Sequence, residues 1–274
     1  MQPTSAQLTA THAQLRQRVQ PNYCLRLAGD AADLQAAQAL RFEVFNLELD
    51  EGMAHSYDSG LDADPFDAVC QHLVVEDSAS GQVVGTYRVQ SGATAQAHLG
   101  YYSEREFDFS PLEQQRSQIL ELGRACIHRQ HRSFAVLNLL WKGIGVLARE
   151  QGLRYLVGCS SLTTQNEAEG AAAYEVLSAH LAPAAWLTRP HPRFACSLDG
   201  AKTTPAPRTP RLLQAYLALG AGICGPPAID REFKTIDFLT WIDVESPSVL
   251  AMQQRGRFVV SSTLSIPPHR VADG

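Results

Sequence analysis

A chain of 274 residues with 45% hydrophobic content is long enough to bury a sizeable core in one domain. Its formal net charge of -5 argues against general nucleic-acid binding, which favours a basic stripe. No run reaches the roughly 18 to 20 apolar residues of a membrane span, and the N-terminal MQPTSAQLTATHAQLRQRVQ lacks the apolar segment of a signal peptide, so the cytoplasm is the expected compartment. Six cysteines at long intervals, with no CxxC pair, read as reduced core residues, and no metal is expected.

Residues 1–20, rich in Gln, Thr and Ala, are expected to form a flexible arm ahead of a single domain spanning 21–250. YCLRLAG (23–29) alternates as a first strand, and residues 30–49 carry Leu34, Ala37, Leu40, Val44 and Leu47 at helical spacing behind an acidic start. The polar stretch 50–70 reads as a loop of a length that is usually functional. HLVVED and VVGTYRVQ, joined by a turn, make a hairpin. An irregular stretch then leads to a strand over 119–127 and a helix from about 134 to 151, followed by a strand at RYLVGCSS and a helix at AEGAAAYEVLSAHLA. Residues 188–211 form a Pro-rich linker expected to be exposed. LLQAYLALGA reads as a short helix, FKTIDFLTWIDV as a final strand, and 251–274 as a tail. This order predicts a mixed α/β sheet with helices on its faces.

The strand 119–127, ILELGRACI, holds Glu121 and Arg124 inside an apolar run. In a regular strand residues three apart point to opposite faces; a bulge near Gly123 brings them to one side. Two readings stand: a buried ion pair, or a strand opened at its centre so that a carboxylate and backbone groups face a ligand. Between 128 and 154 Arg129, Arg132, Lys142, Arg149 and Arg154 stand against Glu150 alone, and a helix N-terminus after basic residues suits a phosphate.

The motifs ALRFEVF, DADPFDAVCQHLVV, GTYRV, GYYSEREFDFSPL, LELGRACIHRQHR, LLWKGI, YLVGCSS, and LLQAYLALGA with CGPPAIDREFKTIDFL occur in that order. The pattern resembles the GNAT superfamily and, more closely, the bacterial ornithine lipid N-acyltransferases, or hemolysin-like acyltransferases. The resemblance implies a GNAT-like, mostly antiparallel sheet with a central bulged strand and helices on both faces. It also implies transfer of a 3-hydroxyacyl chain from acyl carrier protein to the α-amine of ornithine, with no permanently bound cofactor. The stretch RSFAVL, in place of the usual glycine-bearing phosphate loop, disfavours the diphosphate of coenzyme A and favours phosphopantetheine on a carrier protein. The basic 128–154 segment is then a docking face for that acidic partner.

On this reading Glu121 is the base, and backbone N–H groups at Gly123 to Ala125 hold the oxyanion. Arg124 either binds the amino-acid carboxylate or anchors Glu121. Asp62, Asp64 and Asp67 offer an anion for the ornithine side chain, while Arg41 and Arg88 either pair with those carboxylates or touch substrate beside Phe45. Arg129, Arg132 and Ser133 are the phosphopantetheine candidates.

Other readings are an N-acyltransferase for glycine or another amine, a non-catalytic lipid-binding protein, and an acyl-homoserine lactone synthase. The last shares Arg41, Phe45, Asp64, Asp67, Arg88, Glu121 and Arg124. The spacing of His72 and Asp77 matches glycerolipid acyltransferases, but a strand separates them by about 16 Å. Cys126 and Cys159, in predicted core strands, are expected to be inert. A product with one fatty chain suggests transient contact with the inner membrane; Trp186, Leu187 and Phe194 are candidates for that contact or for core.

Overall fold

Eight strands form one sheet in the computed structural model, which describes residues 23–199 and 204–254. They are β1 Tyr23–Leu27, β2 Gln71–Asp77, β3 Gln82–Ser91, β4 Ile119–Ile127, β5 Tyr155–Leu162, β6 Gly222–Ile223, β7 Ala228–Asp230 and β8 Thr235–Asp243. The order is β1-β2-β3-β4-β5-β8-β6, with β7 also on β8. Every pairing is antiparallel except β4 with β5. The helices are α1 Ala31–Phe42, α2 Ser56–Ser59, α3 Gly92–Ala97, α4 Phe134–Glu150, α5 Glu167–Leu177, α6 Arg211–Ala218 and α7 Pro247–Gln254.

Strand alternation assigns the two faces. Leu73, Val75, Tyr87, Val89, Leu120 and Leu122 cluster with Val136, Leu140, Trp141 and Ile144 of α4, which Ser133 caps. Each such buried side chain contributes roughly 1.5–3 kcal/mol. The opposite face meets α1 and the π-helical turn Glu43–Glu48 that continues it, where Leu40, Val44 and Phe45 cluster with Cys126 and Phe233. The fold is the GNAT-like mixed α/β architecture expected, with helices on both faces.

Several local expectations change. The loop over 50–70 contains α2 and a 3-10 turn, Pro65–Ala68, whose first backbone N–H groups Asp64 caps. The first part of the Pro-rich linker is bound to the sheet rather than exposed. Thr188 donates its N–H to Cys224, Phe107 bridges to Pro190, Ala195 bridges to Ala228, and Cys196 is buried. Those bonds give its backbone the partners that composition does not reveal. Trp186 packs edge-on to Tyr155 and tilted against Trp241 in the core, which removes it from any surface contact, while Leu187 is exposed. Helix α7 runs past the domain boundary expected at 250. The expected N-terminal arm and most of the tail lie outside the described residues.

Candidate active site

The site begins where β4 and β5 part. They pair only through Ile119–Tyr155, Leu120–Leu156 and Glu121–Val157, and then diverge, β5 continuing on β8 as far as Leu162. At the divergence a Cβ on Gly158 would overlap the Leu122 carbonyl oxygen, so only glycine lets the strands approach before they open. On its other edge β4 is bulged: Arg88 pairs with Gly123 and Thr86 with Cys126, one extra residue on β4. The bulge reverses the alternation and carries Arg124 to the same side as Glu121, as the sequence suggests. Arg124 itself, not Gly123, takes the left-handed conformation, at φ 49°, and a non-glycine residue is held there only by its surroundings. A Cβ on Gly123 would meet nothing within 4 Å. The opening is a cavity of about 330 Å³ lined by Glu121, Gly123, Arg124, Ala125, Cys159 and Ser161 among others.

What holds Arg124 is a matched set of charges. Its Nε lies 3.2 Å from Asp62 and its Nη2 3.0 Å from Asp64, and its guanidinium sits 4.8 Å from the Tyr102 ring centre and 4.5 Å from that of Phe233. Arg88 pairs with Asp64 at 2.6 Å and Asp67 at 2.9 Å. Arg41, 0% exposed, grips Asp67 with both terminal nitrogens, at 3.1 and 2.6 Å, and Asp62 with Nε at 2.9 Å. Three guanidiniums and three carboxylates thus neutralise one another. Burial pushes the Asp67 carboxyl up, but Arg41, with Arg88, outweighs it and holds the group well below the usual carboxylate range. The structure therefore brings together six of the sequence-predicted residues and places their charges on one another; Arg124 anchors Asp62 and Asp64, not Glu121. Phe45 lines the cavity and packs edge-on to Phe233.

Glu121 is 5% exposed and fully hydrogen-bonded. Tyr102 N–H donates to Oε2 at 2.8 Å; Ser103 N–H, at 2.8 Å, and its hydroxyl, at 2.6 Å, donate to Oε1. Burial raises its pKa, opposed first by the bonds from Ser103 and Tyr102. Ser103 and Tyr102 line the cavity with it. Sequence reasoning missed both as site residues, although they stand inside the motif GYYSEREFDFSPL.

The cavity's other wall is acidic. Glu51, Asp230 and Asp237 line it, and Glu106 joins Asp237 from an adjoining cleft. Burial, with the Asp237 charge, pushes Glu51 up to about 7. Burial and Asp230 push Asp237 up to about 6. These acids were also missed; Asp237, a charge inside the apolar run of β8, carries the same signal as Glu121.

Arg129, Arg132 and Ser133 sit together ahead of α4, all exposed. Arg132 binds Glu48 through both terminal nitrogens and donates Nε to the Ile127 carbonyl at 3.0 Å. The basic segment does not form one face. Arg154 pairs with Asp243 and Glu245 at the far end of α4, about 25 Å of helix away. His72 contacts Asp67 while Asp77 accepts from Ser80, so they make no dyad. Burial drives the Cys126 and Cys159 thiols well up, and both are poor nucleophiles.

The strand pair opens over the bulge with a buried carboxylate at its edge, and an acetyltransferase (GNAT) domain model matches residues 40–142, which span that opening. The chain is 33% identical to the L-ornithine N(alpha)-acyltransferase of Brucella abortus (strain 2308) over 238 residues, 81% of this chain and 84% of that one. It is likewise 33% identical to the L-ornithine N(alpha)-acyltransferase of Rhodobacter capsulatus over 246 residues, 83% and 92% of the two chains. The chain belongs to this L-ornithine N(alpha)-acyltransferase family, and it is an N-acyltransferase. The solved structure of FeeM, an N-acyl amino acid synthase from uncultured soil microbes, matches with TM-score 0.51 and 11% identity over 86% of this chain and 100% of that one, a likeness of fold.

Proposed function

We propose that the chain transfers a 3-hydroxyacyl group from the phosphopantetheine thioester of acyl carrier protein to the α-amine of L-ornithine, giving lyso-ornithine lipid with no permanently bound cofactor. The observation that carries this reading is the identity to L-ornithine N(alpha)-acyltransferases over most of the chain, combined with a cavity that opens at the strand divergence.

An α-ammonium, with a pKa of about 7.7–8.0, must lose one proton before it attacks. Both Glu121 oxygens already accept hydrogen bonds, so the proton reaches it through Ser103. The serine hydroxyl takes a proton from the amine as it passes its own to Glu121. The new C–N bond forms at the thioester carbonyl, whose oxyanion is received by backbone N–H groups at the Gly123 to Ala125 bulge. Collapse breaks the C–S bond: the nitrogen, left cationic by its attack, gives its second proton to the departing thiolate, and Glu121 returns the first to solvent through Ser103. Arg124, tied to Asp62 and Asp64, fixes the bulge and turns its charge towards the cavity. The matched Arg41, Arg88, Asp62, Asp64 and Asp67 set, with Phe45, shapes the substrate wall.

Arg129, which makes no ion pair among the described residues, and the Ser133 cap at the start of α4 suit the single phosphate of phosphopantetheine. Arg132 joins them by exchanging Glu48 for the carrier's acidic surface. No helix among the described residues is long and apolar enough to cross a membrane; transient contact of this cytoplasmic enzyme with the inner membrane suits a single-chain product. The test is free-thiol release from 3-hydroxyacyl carrier protein with each amino acid in turn. Release with ornithine, abolished in Glu121→Gln, supports the reading. Release with another amine alone reassigns the substrate, and no release with any amino acid overturns it.

A further inference from the structure

The acidic wall is a second group of buried charges, and it has no counter-cation. Among the described residues Glu51, Glu106, Asp230 and Asp237 form no ion pair with lysine, arginine or histidine; the nearby guanidinium of Arg124 is bound to Asp62 and Asp64. Asp237 is 4% exposed, lines the cavity, and its Oδ1 accepts no hydrogen bond. Glu51 accepts one bond, from the Thr163 hydroxyl, and Asp230 Oδ1 accepts the N–H groups of Glu232 and Phe233 at 2.8 and 2.9 Å. Burying uncompensated carboxylates is strongly unfavourable. The raised values of Glu51, Glu106 and Asp237 are its sign: burial among neighbouring acids favours their protonated forms, and Arg124, already bound to Asp62 and Asp64, offsets this only in part at Glu106.

We propose that this acidic wall is the seat for the side-chain ammonium of the amino-acid substrate, so that the cavity selects α,ω-diamino acids. The inference rests on the ornithine reading above and deepens it. The spacing suits a short diamine. Ser103, beside which the α-amine would react, lines the same cavity as Cys159, Glu51, Asp230 and Asp237, and the Cys159 thiol lies 4.0 Å from Glu106 Oε2. The reacting end and the acids therefore face one cavity of about 330 Å³, as the two ends of a short diamine require. An ammonium entering there meets the free Asp237 Oδ1 and, by donating its own protons, replaces those the acids retain.

Glu106, Cys159 and Asp237 place their ligand atoms within 4.8 Å of one another, a spacing a metal also accepts. A metal would have to displace the thiol's proton at a site where burial makes the thiolate costly, whereas an ammonium needs only the acceptor oxygens of Glu106 and Asp237. The set therefore favours an organic cation. The acids are placed to reward a charge at the far end of the substrate, not the α-amine common to all amino acids, so their contribution is read in selectivity.

The experiment compares kcat/KM for ornithine and for norvaline, which has the same carbon chain without the δ-amine, by thiol release from the acyl carrier protein. Wild type, Asp237→Asn and Glu51→Gln are assayed, with thermal melts to check folding. Wild type prefers ornithine, and the ornithine-to-norvaline ratio falls about 10- to 100-fold in Asp237→Asn and by a smaller factor in Glu51→Gln. A wild-type preference that survives in both folded variants overturns the assignment of the acids while leaving the acyltransferase reading intact. Wild type that acylates neither amino acid overturns both. Stoichiometric metal in purified wild type, lost in Asp237→Asn, overturns the ammonium seat in favour of a metal site.

Discussion

Two walls of one cavity carry buried charge in opposite ways. On one, Arg41, Arg88 and Arg124 meet Asp62, Asp64 and Asp67 in close pairs, and the carboxyls of Asp64 and Asp67 are held below their ordinary range. On the other, Glu51, Glu106 and Asp237 lie among further acids, and all three are pushed up. Tyr102 stands between the two sets, stacked on Arg88 and Arg124 and lining the cavity with Asp230. Matched charges hold a loop and a bulge in place. Unmatched charges create a demand for a cation that the chain itself does not meet.

The comparison is broken most severely by removing one member of the matched set. Asp67→Asn leaves Arg41 and Arg88 short of a buried partner and costs about 3–5 kcal/mol in denaturant unfolding. Because the Asp67 carboxyl is depressed in the folded state, its contribution is present above the unfolded carboxylate pKa, about 3.9, and is lost as pH falls below it. The variant's deficit therefore narrows in acid.

Between the walls, Ser103→Ala removes the hydroxyl that connects substrate to Glu121 but leaves its backbone N–H bond. We expect kcat to fall on the order of 10²-fold, with a melting temperature close to wild type. An unchanged kcat would contradict the serine relay. The smallest effect lies outside both walls. Arg132→Gln removes a half-exposed pair with Glu48 and changes stability by less than about 1 kcal/mol, while raising the KM for acyl carrier protein.

The sequence made one wall far more legible than the other. Glu121 and Arg124 stand out because charges interrupt an apolar strand, and their spacing with Gly123 implies a bulge. That Arg124 adopts the left-handed conformation was not legible. It depends on Asp62 and Asp64, some 60 residues earlier, and on Phe233, more than 100 residues later. Asp62, Asp64 and Asp67 were legible as an acidic cluster, whereas their commitment to three arginines from α1, β3 and β4 appears only when the strands assemble. The acidic wall is built from the segment after α1, a turn before β4, β7 and β8, so no local window contains it. What defines it is a missing partner, and a missing partner is visible only after every nearby cation has been counted in space. The Pro-rich linker was misread for a related reason, its hydrogen bonds going to segments distant in sequence.

The measurement that tests the contrast most directly is the unfolding free energy of Asp67→Asn, Asp237→Asn and Glu51→Gln, without substrate, at pH 8 and pH 4. For Glu51, at about 7, and Asp237, at about 6, the native state keeps protons that the unfolded chain has released, so these groups lower stability as pH rises from about 4 towards 7. Their amide variants are predicted to be more stable than wild type at pH 8, by on the order of 2 kcal/mol each, and to converge with it near pH 4. Asp67→Asn moves the other way at pH 8. Destabilisation of all three variants alike at pH 8 would mean that the acidic wall is as fully matched as the arginine–carboxylate one, and would contradict the account.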